Sequence, residues 1–440
     1  MTASSSRRPL SRGEKWLLGF SMLLLAGFVG VGLFATKINT APAIVFPTPL
    51  PRPTPNGYDF YVASARAMKP ATPPVDAVND SQNLLETNPQ LAAKNYSLAR
   101  KTAWLRANAT AFALFQKGIA TPCLHPDARV GGSMVAFGSY GSLRELARAK
   151  MIETHAFALQ KRWNDAVNSS LDTVQMGSDM ARGGALIGKL VGTAIVAIGR
   201  DPLNSSDFLP EKLNGPQSRA AAKRLESILR RRASYRDVLQ EARWVSLNDF
   251  ARFSQNPKWR DISSDPNATW RQKVEARLLS KDGMVQGINE SFDAQIADIS
   301  QPYNSPSLVK QPDNLILDSF VVKQSLRPQE GREIVPLNVL LLRFALRAYQ
   351  LENGAFPASL NQLAPKYLQK VPTDYYADGA EFRYRIKNGD YELWSVGPDG
   401  KDNGGVPIKW RDGKVGVNKN GRFPMLTPES TGDYVARRNR

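Results

Sequence analysis

Residues 382–395, F-R-Y-R-I-K-N-G-D-Y-E-L-W-S, restrict the folding choices of this 440-residue chain more than any other stretch. Asn388-Gly389 is the preferred pair for a two-residue type I′ turn, because both central residues there need positive φ. That turn places Ile386 opposite Tyr391, Tyr384 opposite Leu393 and Phe382 opposite Ser395, a mostly apolar face. The other face sets Lys387 against Asp390, Arg385 against Glu392 and Arg383 against Trp394, two opposite-charge pairs and one cation–π pair. A slip of one residue would put apolar side chains opposite charges, so the alternation predicts one register.

The residues before the hairpin predict a helix. Pro336 suits a first turn, where its missing N–H is not needed. Gly354 suits a left-handed C′ position, and Pro357 blocks an immediate restart. Arg343, Arg347 and Gln350 line one face, and apolar residues cover the rest, so the helix needs cover on two sides. Ser359 is expected to cap a short second helix, with Gln362 completing a capping box, and Ala364-Pro365 to end it.

Taken together, A-L-R-A-Y-Q-L-E-N-G-A-F-P, V-P-T-D, F-R-Y-R and Y-E-L-W-S-V-G-P-D-G-K-D-N-G-G resemble the C-terminal half of the major pseudopilin of type II secretion systems. The resemblance covers about seventy residues, 336–405. It implies a helix packed on a small antiparallel sheet, and a calcium-binding loop after the last strand. Asp399 matches the Asp of that loop motif, and Asp402 and Asn403 add oxygens close by, so one expectation is weak calcium binding. The alternative is a surface loop of turn residues, Gly397-Pro398-Asp399-Gly400 being a turn signal first. Where the family carries an acidic run after the glycines, this chain has Val406-Pro407-Ile408-Lys409-Trp410; Tyr375 stands where the family has proline.

The other end of the chain points to a membrane. Residues 16–34 are nineteen positions without a charge, and a span needs ~20. Arg7, Arg8, Arg12 and Lys15 precede them, so the N-terminus is expected in the cytoplasm and the bulk outside it. That is a single pass through a bacterial inner membrane. The competing reading is a cleaved signal peptide cut near Ala41-Pro42-Ala43; the apolar run exceeds the about 7–15 residues of a signal core, which favours a signal anchor. Residues 35–57 carry a run of prolines, expected to act as a semi-rigid polyproline spacer lifting the next domain by about 50 Å.

Residues 58–330 show helical periodicity almost throughout, predicting an all-α extracytoplasmic domain. The expected helices cover 89–117, 142–162, 164–181, 185–198, 218–253, 270–280 and 284–299, with a glycine-rich loop at 130–140. The segment A-F-A-L-Q-K-R-W-N-D-A-V resembles one tetratricopeptide unit; without further repeats it predicts an ordinary helical hairpin. Gly184, Gly188 and Gly192 make a small-residue stripe for close helix contact. Lys189 interrupts that run, leaving it short for a second span, so a buried helix is expected.

The net charge is +18, with one cysteine and two histidines. One cysteine excludes an internal disulfide framework. The basic residues of 218–243 predict a solvated face rather than a nucleic-acid site, given the expected location. Cys123-Leu124-His125 is adjacency without triad geometry, and no G-x-S-x-G, H-E-x-x-H or phosphate-cradling loop occurs. No small-molecule substrate can be identified from these residues.

The fold class expected is therefore α-rich. A cytoplasmic segment (1–15) precedes a transmembrane helix (16–34) and a linker (35–57). An all-α domain (58–330), a pseudopilin-like α+β module with an antiparallel hairpin (331–411) and a polar tail without fixed structure (412–440) follow. The function expected is that of a membrane-anchored structural or interaction protein of the bacterial envelope, with protein partners there. The alternative is an envelope enzyme whose site lies in the helical domain.

Overall fold

The computed structural model describes residues 44–69, 97–126, 129, 133–204, 209–261, 266, 268–409 and 430–436. The expected span at 16–34 lies outside the described residues. The described chain is mainly helical with a small three-stranded antiparallel sheet.

The helical part runs α1 (Gly57–Ala67), α2 (Leu98–Ala107), α3 (Ala109–Ala120), α4 (Ser133–Leu159), α5 (Trp163–Met180), α6 (Leu186–Asn204), α7 (Gly215–Arg231), α8 (Tyr235–Phe253), α9 (Trp270–Leu278), α10 (Lys281–Ile299) and α11 (Leu315–Asp318). The hairpin expected around 160–162 is the α4–α5 turn. Three expectations change. The described part of helix 89–117 is α2 and α3, parted at Asn108, whose side chain accepts from the Lys69 N–H at 2.7 Å; 89–96 lie outside the described residues. Helix 218–253 is broken between α7 and α8, where Ser234 and Asp237 form a capping box. The glycine-rich stretch expected as a loop supplies the start of α4, from Ser133.

α5 is buried almost from end to end, with α4 and α6 against it. The glycines explain how α6 comes so close. A Cβ on Gly192 would lie 2.4 Å from the Gly177 carbonyl oxygen, and one on Gly199 would lie 2.7 Å from the Val174 nitrogen. The stripe therefore serves helix packing within the protein.

From Ile44 onward the proline-rich linker is not a free spacer. Ile44 packs on the cluster built by α8, α9 and α10. Phe46 meets the Trp244 ring edge-on at 5.9 Å, and Arg129 donates to the Pro47 carbonyl at 2.6 Å. Apolar residues set between the prolines hold the strand of chain down.

The C-terminal module begins with α12 (Arg327–Asn353), nine residues earlier than expected, with Pro328 in its first turn and Pro336 inside it. An interior proline costs about 3 kcal/mol; here the helix is buried along most of its length between α7 and the sheet. α12 is long and apolar enough to cross a membrane, but 72% of its apolar window is buried inside the protein, which makes it a core helix. The left-handed Gly354 ends it as expected, at φ 77°. The short helix after it is a 3₁₀ turn, Leu360–Leu363. Ser359 makes no capping bond; Gln362 instead accepts from the Ala358 N–H at 2.9 Å.

Strands β1 (Arg383–Lys387) and β2 (Asp390–Ser395) pair in the expected register from Arg383 with Trp394 to Lys387 with Asp390. Asn388 and Gly389 both have positive φ, 52° and 73°. Phe382 leaves the pairing and joins the core. Arg385 pairs with Glu392 as expected, and two other contacts run diagonally. Lys387 reaches Glu392 at 2.7 Å rather than Asp390, and Arg385 rather than Arg383 lies over the Trp394 ring, at 4.9 Å. The tail expectation is corrected in part, since 412–429 and 437–440 lie outside the described residues. Tyr434–Ala436 form β3 on the free edge of β2, where Trp394 pairs with Val435.

Nothing lies within 4 Å of a Cβ built on Gly389, so only backbone strain opposes a side chain there. Gly389→Val in the full chain is expected to cost about 1–2 kcal/mol. Urea unfolding checks this; an unchanged midpoint would mean that the turn is not what holds the register.

Candidate functional site

In the loop 397–405, Asp399 and Asp402 are turned toward N–H groups and Asn403 toward a carbonyl. Asp399 accepts from the N–H of Lys401 (3.1 Å) and of Gly432 (3.2 Å). Asp402 accepts from Trp394 Nε1 (3.0 Å), the Gly404 N–H (2.9 Å) and Arg383 Nε (2.9 Å); these bonds hold its carboxyl below the usual range. Asn403 donates its side-chain amide to the Lys401 carbonyl at 2.9 Å. At the centre sits a residue absent from the sequence reading, Asp433. It is fully buried and accepts from the N–H groups of Asn403 (3.1 Å), Gly405 (2.7 Å) and Val406 (3.1 Å).

Calcium needs six to eight converging oxygens, about 2.3–2.6 Å from the ion. Here the carboxylate oxygens of Asp399, Asp402 and Asp433 already accept hydrogen bonds. No group of three or more His, Cys, Asp or Glu that could hold a metal occurs among the described residues. A calcium ion at this loop would have to take these carboxylates from the N–H groups they now accept from.

Cys123 and His125 are held in packing. The Cys123 Sγ faces the Asp179 carbonyl at 3.8 Å, and burial pushes the thiol up, away from the nucleophilic thiolate. His125 Nδ1–H donates to the Pro126 carbonyl at 2.7 Å, which leaves Nε2 to accept from the Tyr140 hydroxyl at 2.9 Å. Burial pushes the imidazole down, so it stays neutral.

The more informative place is the seam between α12 and the helical domain. Lys189 on α6 and Glu333 on α12 form an ion pair at 2.7 Å with both side chains 1% exposed. Thr193 donates to the same carboxylate at 3.2 Å, and Lys189 also donates to the Ala233 carbonyl at 3.1 Å. Burial pushes the Lys189 ammonium down, opposed by Glu333. Arg232, in the α7–α8 break, reaches Glu333 at 3.6 Å and pairs with Glu330. Burial opposes its charge, but these carboxylates hold the guanidinium above its ordinary range. A second buried pair fixes the start of α12. Arg327 donates to both Asp298 oxygens, at 3.2 and 3.1 Å, and to the Pro302 and Tyr303 carbonyls at 2.6 and 3.0 Å.

These two ion-pair groups flank a cleft of about 620 Å³, lined among others by Tyr303, Glu330, Asn338, Lys370, Tyr375 and Asp378. The second oxygen of Glu330 and the Tyr375 hydroxyl have no hydrogen-bond partner. Burial, then the nearby Glu330 charge, pushes the Tyr375 phenol up, so it remains a neutral donor. Both atoms are buried in the cleft wall, an unpaired acceptor and an unpaired donor out of reach of solvent. The one signal of this seam in the sequence was Lys189, a cation inside an apolar run.

In comparison with known proteins, the chain matches no family model, and neither a curated protein nor a solved structure matches it.

Proposed function

We propose that this chain is a membrane-anchored, extracytoplasmic structural and interaction protein of the bacterial envelope, linked to secretion or envelope assembly. In this reading residues 16–34 form a single span with the N-terminus in the cytoplasm. The module from α12 onward is a pseudopilin-like unit, and the helical domain is its rigid base.

The observation that supports the reading most is the seam. Two buried ion-pair groups join α12 to the helical domain, and the cleft beside them carries groups suited to recognition: a carboxylate, phenols, an amide and a lysine. A nucleophile with a base in reach, which covalent catalysis needs, is not among the named lining groups. Cys123 and His125, the thiol–imidazole neighbours of the helical domain, are both engaged in its packing.

The test has two readouts on the full-length chain in its own cells. Protease added to intact spheroplasts is expected to remove the domain; full protection would overturn the topology. A photo-crosslinker at Asp378, on the rim of the cleft, is expected to give a discrete heavier species. A chain that is cut by protease but yields no adduct would keep the anchor and lose the interaction role.

A further inference from the structure

α9 presents an apolar row to solvent. Trp270 is 79% exposed, Val274 46% and Leu278 58%, and their spacing of four puts them along one side of the helix. The helix is held from its other side, where Ala276 is buried in the cluster shared with α8 and α10, and Leu279 packs against it. Cations flank the row. Arg271, Lys273 and Arg277 stand on a nine-residue helix whose one carboxylate, Glu275, pairs with Arg271 at 2.8 Å. Asp313 lines the far wall of an adjoining cleft of about 750 Å³.

We propose that α9 lies on an anionic phospholipid bilayer, with Trp270, Val274 and Leu278 entering the headgroup boundary and Arg271 and Arg277 meeting the phosphates. An exposed row that carries a tryptophan and has basic residues beside it meets such a surface by buried apolar area plus charge attraction. Size argues against a protein or a second copy as the occupant. Three side chains cover a few hundred Å² at most, below the about 1,200–2,000 Å² of a stable protein interface. A bilayer contact can be this small when the chain is already tethered, because the tether supplies the effective concentration.

Position carries the rest, and this step rests on the proposed anchor. Ile44 packs on the same cluster that Ala276 joins. It follows Phe34, the last residue of the expected span, by ten positions. Ten residues reach at most about 35 Å fully extended. The lobe that carries α9 is therefore held near the membrane surface instead of being lifted away from it.

The test uses the full-length chain in liposomes, with Leu278→Cys carrying an environment-sensitive fluorophore. Cys123 is buried and stays unlabelled in the native fold. The control is the same probe at Ile386→Cys, on the β-hairpin. With phosphatidylglycerol present, spin-labelled lipid is expected to quench the 278 probe several-fold more than the 386 probe. The difference is expected to shrink in pure phosphatidylcholine, and with Arg271→Glu/Arg277→Glu. Equal quenching at both positions, or a 278 probe shielded only as protein concentration rises, overturns the proposal; the second result would make a second copy the occupant. Flotation reads the anchor separately. A chain that floats with the liposomes while its 278 probe stays unquenched loses this contact and keeps its span.

Discussion

Glu333→Leu is expected to destabilise the full chain by about 3–5 kcal/mol, the usual cost of removing one partner from a buried ion pair. The loss leaves the Lys189 ammonium, 1% exposed, with the Ala233 carbonyl and the Tyr235 ring, which its Nζ faces at 5.0 Å. Neither replaces a carboxylate. Arg232 keeps Glu330, so the damage centres on Lys189. The double variant Lys189→Met/Glu333→Leu is expected to regain most of the loss, because apolar side chains of similar volume often replace a buried pair at little net cost. Urea unfolding of the single and double variants checks both statements. A neutral single variant, or a double variant as weak as the single, would show that the pair does not hold the seam.

Asp433→Ala is the second large effect. It strands the N–H groups of Asn403, Gly405 and Val406. Asp433 is buried, but Asn403 and Val406 are exposed and water can reach part of what is stranded, so the total is expected at about 2–3 kcal/mol. Asp433→Asn keeps an accepting oxygen and is expected to lose less. The same measurement on the unaltered chain decides the calcium question. Millimolar calcium and a chelator are both expected to leave the midpoint where it is. A rise with calcium would mean that the loop reopens its carboxylates to an ion.

The parts legible beforehand were those with local causes. The type I′ turn needs only Asn388-Gly389, and the register follows from alternation on either side of it. The end of α12 at Gly354 and the close approach at Gly192 are likewise local. The start of α12 was not legible, because Pro336 suits a first turn and the polar run Glu330, Gly331, Arg332 and Glu333 offers no apolar face to extend the helix. Their reason for being helical is Lys189 and Arg232, far back in the chain. Asp433 was hidden in the same way. It stands in a polar tail, and its partners lie in a glycine-rich loop about thirty residues earlier. That loop was found by its composition, but composition could not say whether its carboxylates face an ion or the loop's own backbone. Both halves of the candidate site therefore rest on long-range pairing that periodicity and motif do not encode.

The strand that closes the sheet comes last in the chain. β3 packs on α12 and pairs with β2. A ribosome reaches Tyr434 roughly eighty residues after it finishes Asn353, about 4–16 s later at ordinary elongation rates. For that interval one flank of a 27-residue apolar helix, long enough to span a bilayer, is without its final cover. A newborn chain therefore meets a partitioning decision that the finished one does not. The ionic side chains of Glu330, Glu333 and Arg343 within α12 make the lipid outcome costly and keep the helix waiting for its own C-terminus.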